Sequence, residues 1–181
     1  MLINFSNNPI YVSNWKNEFY IENKNIEEEL PKKLNNIEIN SSIYAINWPW
    51  SFTAIRTWTL CINLYKFLSK EKSNIYTCSK IDIYKYLYEK YNLFNIIYVF
   101  IWQKNNCWEF DAKTNKITKV KIDEHKLNSS FSDFGENKID IKYYKNEIIA
   151  RVNWEIYPIE KNIFSYKDIL EANYMINVNI N

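Results

Sequence analysis

Short apolar runs separated by polar turns open the chain, and longer helical stripes follow. Ile10 to Val12 and Phe19 to Ile21 flank the polar stretch Ser13-Asn14-Trp15-Lys16-Asn17. This pattern predicts two strands joined by a hairpin turn. After Asn25, a helix cap, Ile26, Leu30 and Leu34 recur at four-residue intervals, and Glu27, Glu28 and Glu29 occupy the dipole-favoured first turn. Pro31 strains or shortens that helix. Ile43 to Ile46 reads as a strand running into Asn47-Trp48-Pro49-Trp50-Ser51. Ser51 is a candidate cap for a long helix from Phe52 to Leu68, with Ala54, Trp58, Cys61, Tyr65 and Leu68 on one stripe and Ile55, Thr59 and Ile62 on its flank.

The pattern then alternates. Asn74 to Cys78 predicts a strand, and Ile81 to Leu93 a helix carrying Ile81, Tyr84, Leu87 and Tyr91 on one face. Phe94 to Ile101 is a continuous apolar strand of the kind buried on both faces. Beyond it the chain turns β-rich: strands are expected at Cys107 to Asp111, Ile117 to Ile122, Ile139 to Tyr144, Ile148 to Val152 and Glu155 to Ile159. Asp123 to Lys138 reads as a long polar loop, Ser165 to Ala172 as a short capped helix, and the Asn-rich end as frayed. No internal sequence repeat stands out. The expected class is α/β, with one subdomain over residues 1–95 and a smaller β-rich one over 96–181.

Composition alters this picture at one point. Asn, Ile, Lys and Tyr supply half of the 181 residues, as expected of an AT-rich genome. An average chain of this size carries roughly a dozen glycines; this one has Gly135 alone, beside 7 Trp. AT drift accounts for scarce glycine but not for surplus tryptophan, whose usual codon is GC-rich. Trp15, Trp48 and Trp154 each follow Asn, and Asn-Gly is the strongest two-residue hairpin signal. Trp48 and Trp50 bracket a proline at a strand-to-helix turn, and Trp102 and Trp108 border a further turn. The expectation is that UGA encodes glycine in the source organism and has been rendered here as tryptophan.

The remaining bulk features exclude more than they assign. A net charge of +2 leaves no strong footprint for a polyanion. No apolar run reaches the length of a membrane span, and the start MLINFSNNPI lacks a basic secretory n-region, so a cytoplasmic protein is expected. Cys61, Cys78 and Cys107 are odd in number and widely spaced, which predicts neither a disulfide framework nor a zinc site. His125, the only histidine, lies in the charged run Asp123-Glu124-His125-Lys126 and reads as solvated.

With glycine at the Trp positions, residues 46–68 resemble the signature of the TsaB (YeaZ-type, Gcp-like) family of tRNA threonylcarbamoyladenosine synthesis. The family pattern is Gly-Pro-Gly-Ser-Phe-Thr-Gly-(Leu or Val)-Arg followed by a small-residue helix. Pro49, Ser51, Phe52, Thr53 and Arg56 match it directly, Trp48, Trp50 and Trp58 stand at glycine positions, and Ala54 departs mildly. Leu2-Ile3-Asn4-Phe5-Ser6 sits where the family has a strand ending in Asp-Thr-Ser, and Trp108-Glu109-Phe110 resembles its Gly-Glu-Val-Tyr segment. The likeness spans about residues 1–120, and beyond them the chain is shorter than the family.

The resemblance implies an RNase H-like fold of the actin and sugar-kinase (ASKHA) type with a mixed sheet and flanking helices, plus a reduced second subdomain. It implies a non-catalytic scaffold without cofactor or metal, because Asn4 replaces the metal-binding aspartate and a neutral amide is a poor cation ligand. The implied partners are a TsaD-like catalytic subunit, a TsaE-like ATPase and a second copy through the same helices, with tRNA reached only indirectly. Ile26, Leu30, Leu34, Ala54, Trp58, Cys61 and Tyr65 are the expected interface. A nucleotide-binding or ATPase-like protein of the same superfamily is the competing expectation. The turn before the Ser51 helix could receive a phosphate, though it lacks a P-loop lysine.

Overall fold

The computed structural model describes residues 1–7, 9–14, 16–22, 28–29, 32–33, 42–47, 52–68, 73–100, 106–122, 131–132 and 138–171. Within them the protein is a mixed α/β structure with three sheets.

The first sheet contains β1 (Leu2–Asn4), β2 (Ile10–Ser13), β3 (Glu18–Ile21), β4 (Ser42–Ile46), β5 (Asn74–Cys78) and β13 (Ser165–Lys167) in the order β13-β5-β4-β1-β2-β3. β1, β2 and β3 form an antiparallel meander, whereas β4 runs parallel to β1 and β5 parallel to β4. Side chains alternate with the strand period. Ile3, Phe5, Ile10, Val12, Ile43, Ala45 and Ile75 pack in one core, and Leu2, Tyr11, Ile46 and Cys78 in another on the opposite face. Helix α1 (Phe52–Leu68), which joins β4 to β5, covers the first of these faces through Trp58 and Ile62. The helical residues Glu28, Glu29, Lys32 and Lys33 precede β4.

Helix α2 (Lys80–Tyr91) covers the other face with Ile81, Ile83, Tyr84 and Leu87. Ser79 caps it in a complete capping box: its hydroxyl accepts from the Asp82 amide at 3.0 Å, and the Asp82 carboxylate accepts from the Ser79 amide at 3.1 Å. Asn92 ends the helix in the left-handed region at φ 51°.

The second sheet contains β6 (Ile96–Phe100), β7 (Asn106–Asp111), β8 (Lys116–Lys121) and β9 (Phe131–Ser132), ordered β8-β7-β6-β9. An antiparallel meander lies on one side of its first strand and a parallel strand on the other. This repeats the arrangement β3-β2-β1-β4 of the first sheet, a repeat of topology that the sequence does not display. β10 (Asp140–Tyr144), β11 (Glu147–Val152) and β12 (Glu155–Ile159) form the third, antiparallel sheet. Phe94, Ile97, Phe110, Ile141, Ala150, Ile159 and Phe164 place all of this in one core with α2.

Two expectations change. The segment predicted as a helix from Ser165 is strand β13, antiparallel to β5 with Tyr166 opposite Tyr76. All three β13 residues are exposed, so they offer no apolar helical face to bury, while the open edge of β5 supplies backbone partners. The stretch expected as a loop before Lys138 contains β9, which takes β6 as its parallel neighbour. His125 and Gly135 lie outside the described residues.

Candidate functional site

Helix α1 has two apolar faces. Trp58 and Ile62 are fully buried against the first sheet, with the Trp58 ring 4.7 Å from that of Phe5, and Cys61 and Tyr65 are half-buried beside them. The opposite face carries Leu60, Leu64 and Phe67, which are 69%, 52% and 85% exposed. Their i, i+4, i+7 spacing makes one continuous stripe. Arg56 is exposed at the N-terminal end of the same helix.

The end of the described chain widens this stripe. The Asn63 side-chain amide donates to the Leu170 carbonyl at 2.8 Å and accepts from the Leu170 amide at 2.8 Å. One turn further on, the Lys66 ammonium donates to the Asp168 carbonyl at 2.6 Å and meets its carboxylate at 3.3 Å. Ile169, held between these anchors, is 65% exposed. Exposed apolar side chains thus come from two segments held together by these hydrogen bonds, and contiguous apolar patches are a common mark of interaction sites.

A second feature lies at the carboxyl ends of β1, β4 and β5. Lys80 is buried in the first turn of α2, and its ammonium donates to the Ser6 carbonyl and the Asn7 side-chain oxygen, each at 3.1 Å. Asn4, at the end of β1, accepts from the Ser6 amide at 3.1 Å and hydroxyl at 2.6 Å. Its Nδ2, and Oδ1 of Asn47 at the end of β4, are buried without a hydrogen-bond partner. In open sheets, ligands favour the crevice outside parallel strand ends. Among the described residues, no group of three or more His, Cys, Asp or Glu side chains converges as a metal site would. No described helix is long and apolar enough to cross a membrane. Cys61, Cys78 and Cys107 form no disulfide.

Of the expected motif, Trp48, Pro49, Trp50 and Ser51 lie outside the described residues, as do Ile26, Leu30 and Leu34. Phe52, Thr53 and Ala54 open α1, and their side chains lie outside the description. Trp58, Cys61 and Tyr65 come together, but against the chain's own sheet. The Trp58 ring therefore sets how closely α1 approaches Phe5. The stripe of Leu60, Leu64 and Phe67 went unread in the sequence because the first apolar row on α1 absorbed the helical period. Lys80 had a signal too: a lysine in a first turn opposes the helix dipole, which points to acceptors nearby.

No protein-family model and no curated protein matches the chain. Two of the solved structures that are similar to it are described by name. "YeaZ from Pseudomonas aeruginosa" aligns with a TM-score of 0.42 and 10% identity, covering 67% of this chain and 64% of that one. An "uncharacterized protein with similarity to peptidase YEAZ from Pseudomonas aeruginosa" aligns with a TM-score of 0.37 and 9% identity, over 67% and 62%. The chain thus spans less than two thirds of the length of these structures.

Proposed function

We propose that this chain is a non-catalytic, cytoplasmic scaffold of the TsaB type, supporting a TsaD-like subunit that forms threonylcarbamoyladenosine beside the tRNA anticodon. The observation that carries the reading is the exposed Leu60, Leu64 and Phe67 stripe, on the helix that begins at Phe52, one residue after Ser51 in the sequence motif, and carries Thr53 and Arg56. The sheet order β3-β2-β1-β4-β5, with β4 and β5 parallel to β1, supports it as the arrangement an RNase H-like first subdomain requires. Asn4 at the end of β1 is consistent with a member that has given up metal-dependent phosphate chemistry. In this reading residues 96–181 form a reduced second subdomain, tRNA is met through the partner, a TsaE-like ATPase joins the complex, and a second copy competes for the α1 stripe.

The test is a pull-down of the cognate TsaD-like subunit with the intact protein and with a Leu60→Ser, Phe67→Ser variant. Capture by the former and at least tenfold weaker capture by the latter, at unchanged melting temperature, is expected. Equal capture by both, or by neither, refutes the role. The buried polar group of Asn4, Asn47 and Lys80 favours a second reading, adenine-nucleotide binding at the strand ends. A nucleotide-induced rise in melting temperature without any partner present would support that reading over the first.

A further inference from the structure

Two hairpins of the third sheet are two-residue turns of one kind. Lys145 and Asn146 join β10 to β11 with φ of 48° and 68°, and Asn153 and Trp154 join β11 to β12 with φ of 48° and 72°. Positive φ at both central positions is the type I′ geometry that matches strand twist, and its second position is the usual place for glycine. Asparagine tolerates the left-handed region through its short polar side chain. Of the other positive-φ residues lacking glycine's freedom, Asn92, Asn115, Asn146 and Asn153 are asparagines and Lys145 is a flexible chain. Trp154 is the one bulky residue in this set, a combination that signals an outlier.

Nothing around Trp154 offsets that conformation. Its side chain is 93% exposed, so the indole gains no packing in return for the left-handed backbone. Strained residues persist where the surroundings over-determine them, and solvent does not. Trp58 presents the converse difficulty. It is fully buried, and its indole N–H has no hydrogen-bond partner, although a buried tryptophan usually finds one. Trp108, half-buried within β7 opposite Val99 and Lys119, has no such defect.

We infer that the native protein carries glycine at positions 154 and 58, and that the codon behind all seven tryptophans is UGA read by a glycine-charged tRNA. The left-handed backbone of the exposed Trp154 is the physical ground for it, and the unpartnered indole N–H of Trp58 agrees with it. At 154, glycine completes an Asn-Gly type I′ turn without steric cost. At 58, it removes the orphaned donor and lets α1 settle toward Phe5, carrying its outer stripe inward. The inference is independent of the scaffold role, since it concerns the residue itself and not what the protein binds.

The direct experiment is peptide mass spectrometry of the protein from its native host together with the coding DNA. The tryptic peptide from Val152 to Lys161 is expected to be lighter than written by the difference between a tryptophan and a glycine residue, with TGA at codon 154. A TGG codon, or a peptide of the written mass, overturns the proposal. In recombinant protein, Trp154→Gly should raise the melting temperature by roughly 2–4 °C, while Trp154→Ala, which keeps a Cβ, should not. Equal effects of the two substitutions, or a loss with glycine, remove the structural ground. Because the turn is solvent-exposed, neither variant should prevent folding, and the comparison can be read.

Discussion

Lys80 buries an ammonium at the helix end least suited to it, and the hydrogen bonds to Ser6 and Asn7 supply the compensation. The lysine thereby ties the start of α2 to the turn between β1 and β2, across the end of β4. Two residues earlier in the chain, Cys78 shows the opposite response to burial. Exclusion from water, and then the nearby Asp82 carboxylate, push its thiol far above the ordinary cysteine range. Only the thiolate is nucleophilic. Titration of the folded protein with a thiol reagent at neutral pH should therefore leave Cys78 unmodified, with reaction appearing on addition of denaturant. Rapid labelling of Cys78 in native buffer would contradict its placement.

Elements were legible in the sequence where one period dominated. Helix α1 and the strands β5 and β12 fall at their expected bounds because apolar spacing and polar turns agreed there. The Ser13 to Asn17 turn was legible in place but not in kind. Asn14 closes it by accepting from the amides of Lys16 and Asn17 at 2.9 Å and 2.6 Å, making a four-residue connection. β13 was illegible because an exposed edge strand takes its stability from a distant backbone partner, and no local period encodes that. The exposed stripe of Leu60, Leu64 and Phe67 was written in the sequence but hidden behind a second apolar row on the same helix. Its flank depends on the Asn63 clamp: Asn63→Ala removes both hydrogen bonds to Leu170, at a cost of roughly 1–3 kcal/mol. Limited trypsin digestion should then cut after Lys167 faster than in the unchanged protein, and equal rates would show that the clamp holds nothing.

At the scale of the whole molecule, the first and third sheets meet through Tyr11. Its hydroxyl donates to Glu18 at 3.4 Å and accepts from the Tyr143 amide at 3.2 Å, and the Lys142 ammonium reaches Glu18 at 3.3 Å. Burial raises the Tyr11 pKa above the ordinary value near 10. A group raised on folding contributes stability that is complete below its unfolded pKa and lost as pH rises through its folded one. Urea midpoints should therefore fall above about pH 10, and fall less steeply for Tyr11→Phe. An identical alkaline slope in both proteins would place the sensitivity elsewhere.

The closure of β5 by β13 has a consequence in time. During synthesis, the outer edge of β5 waits while every residue from Cys78 to Ser165 is added, several seconds at roughly 5–20 residues per second. A half-made first sheet thus offers an unpaired strand to any neighbouring nascent chain, and the part of the molecule made earliest is sealed last.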